Sequence, residues 1–158
     1  MHAAIAALTA AQILIHAPQQ ELGATRASVE KKLGPSGSVG TDFPASPFVE
    51  GGRDQVLTLG YPGAQIRVYA VPGRNTSALL AVVSGTDLIP TRTGVKIGAD
   101  RGALLRELGG PDYEDEDQLV YSDPHPDDPR VSDQVRLLLK DDRLIGIEWR
   151  YAVGGAAR

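Results

Sequence analysis

The sequence predicts an α+β fold in which two tandem helix-plus-antiparallel-sheet repeats form one curved sheet with short helices packed on one side. Three observations support this prediction. A capped helical segment recurs 75 residues later, each copy is followed by three strand-like segments that alternate in part, and turn residues separate those segments. One domain built from two repeats suits a chain of 158 residues. The repeat units are assigned to residues 18–92 and 93–158.

Residues 1–17, MHAAIAALTAAQILIHA, contain no Lys, Arg, Asp or Glu and precede Pro18. An apolar segment ending in a small residue is typical of a secretory signal, so this segment is predicted to be a signal peptide or its remnant. The absence of a basic start leaves two alternatives, an N-terminal core helix or a signal that begins upstream. A stable membrane span is not expected, because spanning needs about 20 apolar residues.

Each repeat unit is predicted to begin with a short helix, in LGATRASVEKKLGP (22–35) and IGADRGALLRELGGP (97–111). Thr25 and Asp100 are suitable N-caps, because their side-chain oxygens can accept from free helix N–H groups. Both helices carry an i, i+4 apolar pair and end in Leu-Gly with a proline close behind. Helices this short need a sheet to pack against.

Three strands are predicted after each helix, and the later strands alternate in part between apolar and polar residues, as in an antiparallel sheet with one buried face. The first unit has DQVLTL (54–59), QIRVYAV (65–71) and ALLAVVS (78–84), and the second has DQLVYS (117–122), QVRLLLK (134–140) and LIGIEWRY (144–151). GVKIG (94–98) is predicted to be a short lead-in strand. Trp149 is predicted to pack in the core, with an exposed contact residue as the alternative.

Two copies of a capped helix with a Leu-Gly stop, each followed by an antiparallel sheet, resemble the β-lactamase-inhibitor-protein-like superfamily. Its relatives include the small lipoproteins of the bacterial outer-membrane assembly machine, and the resemblance covers most of residues 20–152. It implies a curved sheet whose open face or edge loops contact another protein, and a secreted or periplasmic location. The chain lacks the cysteines of both groups, so inhibition of an enzyme is not carried over.

Composition narrows the possible functions. Without cysteine, the chain cannot form a disulfide, use a thiol catalyst or build a cysteine-based zinc site. The net charge of −4 argues against nucleic acid as a partner. The imbalance lies in residues 93–158, where nine basic and fourteen acidic residues give a net charge of −5.

The most acidic stretch, residues 112–128, holds eight carboxylates and no basic residue. Within it, Asp123, His125, Asp127 and Asp128 are the candidate ligands of a divalent ion, because calcium binds six to eight oxygen atoms. Their spacing differs from that of an EF-hand loop, which has glycine at its sixth position. The other interpretation is a solvated loop or an electrostatic contact surface for a basic partner.

One face of the predicted sheet is the candidate contact surface. If Ile66 faces the core, alternation leaves Arg67 and Tyr69 exposed. By the same alternation, the exposed residues of the second unit are Arg136, Lys140, Glu148 and Arg150. Phe43 and Phe48, both in the long loop 36–53, complete the set, because long loops often carry function.

The sequence therefore predicts a non-enzymatic, extracytoplasmic protein-binding module without a cofactor. No catalytic motif with supporting context and no phosphate-binding glycine loop is present in the sequence. The alternative is a domain that binds a small ligand or a divalent metal through residues 112–128. The partner and the oligomeric state are left open.

Overall fold

The computed structural model describes residues 7–73 and 76–152. Over these residues the fold is mixed α/β, with three helices and one open antiparallel sheet of eight strands. The helices are α1 (Ala10–Leu22), α2 (Arg26–Leu33) and α3 (Arg101–Leu108). The strands are β1 (Ser38–Asp42), β2 (Gln55–Tyr61), β3 (Ala64–Val71), β4 (Thr76–Ser84), β5 (Tyr113–Glu114), β6 (Gln118–Pro124), β7 (Ser132–Lys140) and β8 (Arg143–Arg150).

The sheet has the strand order β1-β2-β3-β4-β8-β7-β6-β5. The two four-stranded halves meet where β4 pairs with β8, with Val82 opposite Trp149. The predictions of two capped helices and of an antiparallel sheet are confirmed. Thr25 accepts from the Ser28 N–H, and Asp100 accepts from the Ala103 N–H.

The edge strands β1 and β5 were not predicted. All residues of both strands are exposed, so neither strand has the alternation of buried and exposed residues that reveals a strand in sequence. The predicted lead-in strand at 94–98 is wrong. That segment is a loop, in which the Gly98 N–H donates to the Leu144 carbonyl and the Ile97 N–H donates to Asp87.

The hydrophobic core lies between the helices and one face of the sheet. Trp149 is fully buried, which confirms its prediction as a core residue. Other core residues come from every helix and from both halves of the sheet: Leu14, Leu22, Val29, Leu59, Ile66, Val82, Leu104, Leu119, Leu137 and Ile147. Because both halves contribute to one core, each half depends on the other for burial of its apolar face.

Helix α1 occupies the centre of this core. Its Leu14, Ile15 and Ala17 are at most 1% exposed, as the alternative of an N-terminal core helix describes. The predicted boundary between residues 17 and 18 falls inside this helix. No helix in the described part of the chain has the length and apolar character needed to cross a bilayer.

Pro18 lies inside α1, where a proline has no N–H to donate to the carbonyl four residues earlier. That carbonyl belongs to Leu14, and it accepts instead from the indole Nε1 of Trp149 at 2.9 Å. The Tyr151 hydroxyl donates to the neighbouring Ile15 carbonyl at 2.7 Å. Since buried polar groups need partners, these two bonds attach α1 to the end of β8.

Candidate functional site

The face of the sheet opposite the helices carries a groove of about 910 Å³, which we call the β4 groove. Its floor is formed by Leu80, Ala81 and Val83 of β4. Around the floor stand three arginines and two carboxylates: Arg67, Arg130, Arg150, Asp128 and Glu148. An apolar floor with arginines at its rim is suited to binding another molecule, because arginine combines a flat apolar surface with directional donors.

The groove residues come from separate parts of the chain. Arg67 lies opposite Ala81 in the pairing of β3 with β4, and the next pair is Val68 with Leu79. Leu80 is therefore the extra residue of a β-bulge, which interrupts the alternation of β4. Arg130 belongs to the loop between β6 and β7, which forms the far wall.

The charge of the groove differs from that of the whole chain. Three arginines and two carboxylates give its lining a net charge of +1, whereas the whole chain carries −4. Arg150 pairs with Glu148, and Arg130 pairs with Asp128 at 3.0 Å. Arg67 makes no ion pair or side-chain hydrogen bond with any residue that the structure describes. Among the described residues of the groove lining, its guanidinium is the charge without an ion-pair partner.

The structure divides the predicted sheet-face residues into two groups. Arg67, Glu148 and Arg150 line the groove, and Arg136 is half-buried opposite Glu148. Lys140 is exposed at the far end of the β7–β8 hairpin, opposite Arg143 and away from the groove. The predicted surface is therefore not continuous from Arg67 to Lys140.

The prediction of an exposed Tyr69 is wrong, because its side chain is only 3% exposed. Tyr69 does lie on the open face, but the loop that carries Phe48 covers it, and the two rings meet edge to face at 6.5 Å. Val56 and Val71 complete this second, smaller core. Alternation gives the face on which a residue lies, whereas burial also depends on loops that are distant in sequence.

Tyr69 also holds the buried carboxylate of Asp54, which is 1% exposed. The Tyr69 hydroxyl donates to Oδ2 of Asp54, while Oδ1 has no hydrogen-bond partner among the residues that the structure describes. Burial and this hydrogen bond raise the pKa of Tyr69 to about 12. This hydrogen bond links Tyr69 of β3 to Asp54, immediately before β2, beneath the loop that carries Phe48.

The two phenylalanines of the loop differ in exposure. Phe43 is 58% exposed, and Phe48 is 37% exposed because its ring contacts Tyr69. A second hollow of about 370 Å³ lies beside this loop, with Pro44 and Pro47 on its wall. Arg67 and Leu80 line both this hollow and the β4 groove, so the two cavities adjoin at Arg67.

The candidate metal ligands are not brought together. Asp123 accepts from His16 at 2.6 Å, His125 bonds Asp133 at 2.9 Å, and Asp128 pairs with an arginine. Asp127 is exposed on the loop. Within residues 7–73 and 76–152, no group of three or more histidine or acidic side chains is arranged to hold a metal ion.

His16 lies between acceptors from the end of β6, the start of β7 and its own helix. Its Nε2 faces Oδ2 of Asp123 at 2.6 Å, and its Nδ1 faces the side-chain oxygen of Gln19 at 2.8 Å. Oδ2 of Asp133 is 3.9 Å from Nδ1. Burial lowers the pKa of His16, but these hydrogen bonds and the two carboxylate charges outweigh it and raise the pKa above the ordinary 6.5.

We expect His16 to stabilise the fold more in acid than in alkali. Because its pKa is higher in the folded state, its contribution is complete below about pH 6.5 and is lost as pH rises through the folded pKa. Thermal unfolding should show that His16→Gln lowers the melting temperature more at about pH 5.5 than at about pH 8.5. Asp123→Asn should reduce the difference between the two pH values, and a His16→Gln effect independent of pH would contradict the assignment.

The acidic stretch is organised around Arg101 at the start of α3. Its guanidinium donates to Asp142 and Glu114, and to the backbone carbonyls of Asp115 and Glu116. The Asp117 N–H donates to the Asp115 carboxylate and lowers its pKa. Residues 112–117 of this stretch therefore form a folded segment at the β5 edge, well separated in the sheet order from β4.

Most of the groove was not predicted from sequence. Leu80 and Val83 lie in an unbroken apolar segment, ALLAVVS, in which the outward-facing residues cannot be recognised. Arg130 could have been recognised from sequence as a candidate site residue, because it is the single Lys or Arg between Arg106 and Arg136. His16 lies in the segment predicted to be a signal peptide, and its polar ring within an apolar run was the available indication of another role.

No family model, curated protein or solved structure matches this chain. A function can therefore be argued only from the geometry of the described residues and from their chemistry.

Proposed function

We propose that this protein is a non-enzymatic binding module that acts outside the cytoplasm and contacts another protein with the open face of its sheet. The observation that carries the proposal is the β4 groove, with its apolar floor at Leu80 and Val83 and its arginine rim. Val83 is 42% exposed at the centre of the sheet. Exposed apolar residues grouped with arginine are typical of protein contact surfaces.

We further propose that the two halves of the fold are copies of one repeat. The strand order of the second half mirrors that of the first around the β4–β8 pair. In each half a tyrosine hydroxyl donates to the glycine carbonyl that ends the helix: Tyr61 to Gly34 at 2.8 Å, and Tyr121 to Gly109 at 2.7 Å. These matching bonds support an internal repeat. The proposed extracytoplasmic location rests on the sequence resemblance to the β-lactamase-inhibitor-protein-like superfamily alone.

The alternative function, binding of a small ligand or a divalent metal through residues 112–128, draws less support. Asp123 and His125 are each hydrogen-bonded to another side chain. In the segment before them, the Asp115 and Glu116 carbonyls accept from Arg101. A small ligand could instead enter the β4 groove, because its volume lies within the range of about 300–1,000 Å³ that ligand pockets occupy.

Affinity capture tests the proposal. The full chain is immobilised and exposed to an extracytoplasmic extract of the source organism, in parallel with two variants that add the same charge. Val83→Glu places a carboxylate on the groove floor, whereas Ile145→Glu places one at a 50% exposed position outside the groove lining. We expect the wild type and Ile145→Glu to retain a partner protein. Val83→Glu should retain at least about tenfold less of that partner.

Circular dichroism must show that both variants remain folded. Equal retention by the two variants would contradict a role for the open face. Absence of any retained protein, combined with a small molecule that raises the melting temperature, would favour the ligand-binding alternative.

A further inference from the structure

We infer that the β4 groove receives an extended acidic segment of a partner protein, with a carboxylate bound by Arg67 between two apolar side chains. This inference rests on the proposed function and specifies the chemistry of the partner. It follows from the charge of the groove, from the position of Arg67, and from the shape of the two adjoining cavities.

Arg67 is the guanidinium available to a partner. Arg150 and Arg130 already pair with Glu148 and Asp128, whereas Arg67 is exposed and has no carboxylate partner within residues 7–73 and 76–152. A guanidinium offers five donors in a planar fork that matches a carboxylate, and a charge-assisted pair of this kind is stronger than a neutral hydrogen bond. A basic segment would instead face a lining of net positive charge.

The surroundings of Arg67 indicate what flanks the carboxylate. On one side lies the hollow walled by Pro44 and Pro47, and on the other lies the floor at Ala81 and Val83. Both cavities include Arg67 and Leu80 in their lining, so a chain passing from one to the other crosses Arg67. An extended segment that places an acidic residue there would place apolar residues in the cavities on either side.

The shape of the site favours a peptide over a compact ligand. The groove and the hollow together run from the loop at residues 43–54, across β3 and β4, to the wall at Arg130. Adjacent strands of a sheet lie about 4.8 Å apart. A path that crosses β3, β4 and β8 is therefore longer than a single carboxylate ligand requires, and it suits several residues of extended chain.

Selection from a displayed library of random 12-residue peptides tests the inference on the full-length protein. The bait is the wild type, and the selected peptides are measured against Arg67→Gln, Val83→Glu and the control Arg106→Gln, an exposed residue of α3 on the helix side. We expect enrichment of Asp or Glu flanked by apolar residues. Arg67→Gln should weaken these peptides about tenfold or more, as the loss of a charge-assisted bond predicts, and Arg106→Gln should not.

The outcomes separate this inference from the proposed function. One outcome is that the selected peptides lack acidic enrichment and bind Arg67→Gln normally but do not bind Val83→Glu. That outcome would overturn the inference and leave open-face binding intact. Peptides indifferent to both substitutions, or no enrichment at all, would overturn the inference and count against the proposed function. Competition by free glutamate at the concentration of the peptide would assign the site to small carboxylates and overturn the peptide as ligand.

Discussion

A chain that lacks residues 1–17 is expected not to fold. The deletion removes Leu14 and Ile15, and full burial of each contributes about 1.5–3 kcal/mol. It also removes the acceptors of the Trp149 and Tyr151 donors, and each unpaired buried group costs about 1–3 kcal/mol. The sum approaches the total stability of about 5–15 kcal/mol that is typical of a domain.

Circular dichroism and urea unfolding of residues 1–158 and 18–158 measure this effect. Two point variants provide a matched control, because Leu14 is fully buried while Leu8 is 62% exposed. Leu14→Ala should lower the free energy of unfolding by about 2–5 kcal/mol, and Leu8→Ala should change it by less than about 0.5 kcal/mol. A cooperative transition of residues 18–158 that matches the full chain would show that the segment is dispensable.

This result also decides between the two interpretations of the segment. If residues 18–158 fold normally, removal of a signal peptide after residue 17 is compatible with the fold. If they do not fold, the apolar character of residues 10–17 reflects burial in the core. An extracytoplasmic location would then require that α1 remain on the exported protein.

Replacement of Trp149 by phenylalanine is expected to destabilise the fold mainly through the Leu14 carbonyl. Pro18 has no N–H to donate to that carbonyl, which accepts from the Trp149 indole instead. Trp149→Phe would leave it unpaired at a cost of about 1–3 kcal/mol, and the smaller ring would add a cavity cost. Urea unfolding of the purified variant measures the loss.

A double-mutant cycle isolates the hydrogen bond from the change in ring size. Pro18→Ala restores an N–H that can reach the Leu14 carbonyl in the helix, so it should stabilise the Trp149→Phe protein more than it stabilises the wild type. We expect a coupling free energy of about 1 kcal/mol. Additive effects of the two substitutions would show that the Trp149 indole does not replace the helical donor missing at Pro18.

The candidate site was predictable in part. The exposed positions of Arg67 and Arg150 follow from alternation within β3 and β8, because the neighbouring residues Val68 and Trp149 are apolar and core-facing. The burial of Tyr69 did not follow, since it depends on Phe48, which lies 21 residues earlier in the sequence. The bulge at Leu80 did not follow either, because an unbroken apolar segment carries no information on register.

What the sequence alone determined about this protein is local. Caps, Leu-Gly helix ends and alternating strands each depend on interactions among neighbouring residues, and they were sufficient to predict the two capped helices and the antiparallel sheet. The tertiary structure decided how the segments share a core and a surface. It places α1 at the centre of the core, where the Trp149 indole donates to the carbonyl that Pro18 leaves without a helical donor. It also brings residues of β3, β4, β8 and the β6–β7 loop together in one groove. The physical reason is that burial and charge pairing depend on contacts between residues up to 136 positions apart, which no local pattern encodes.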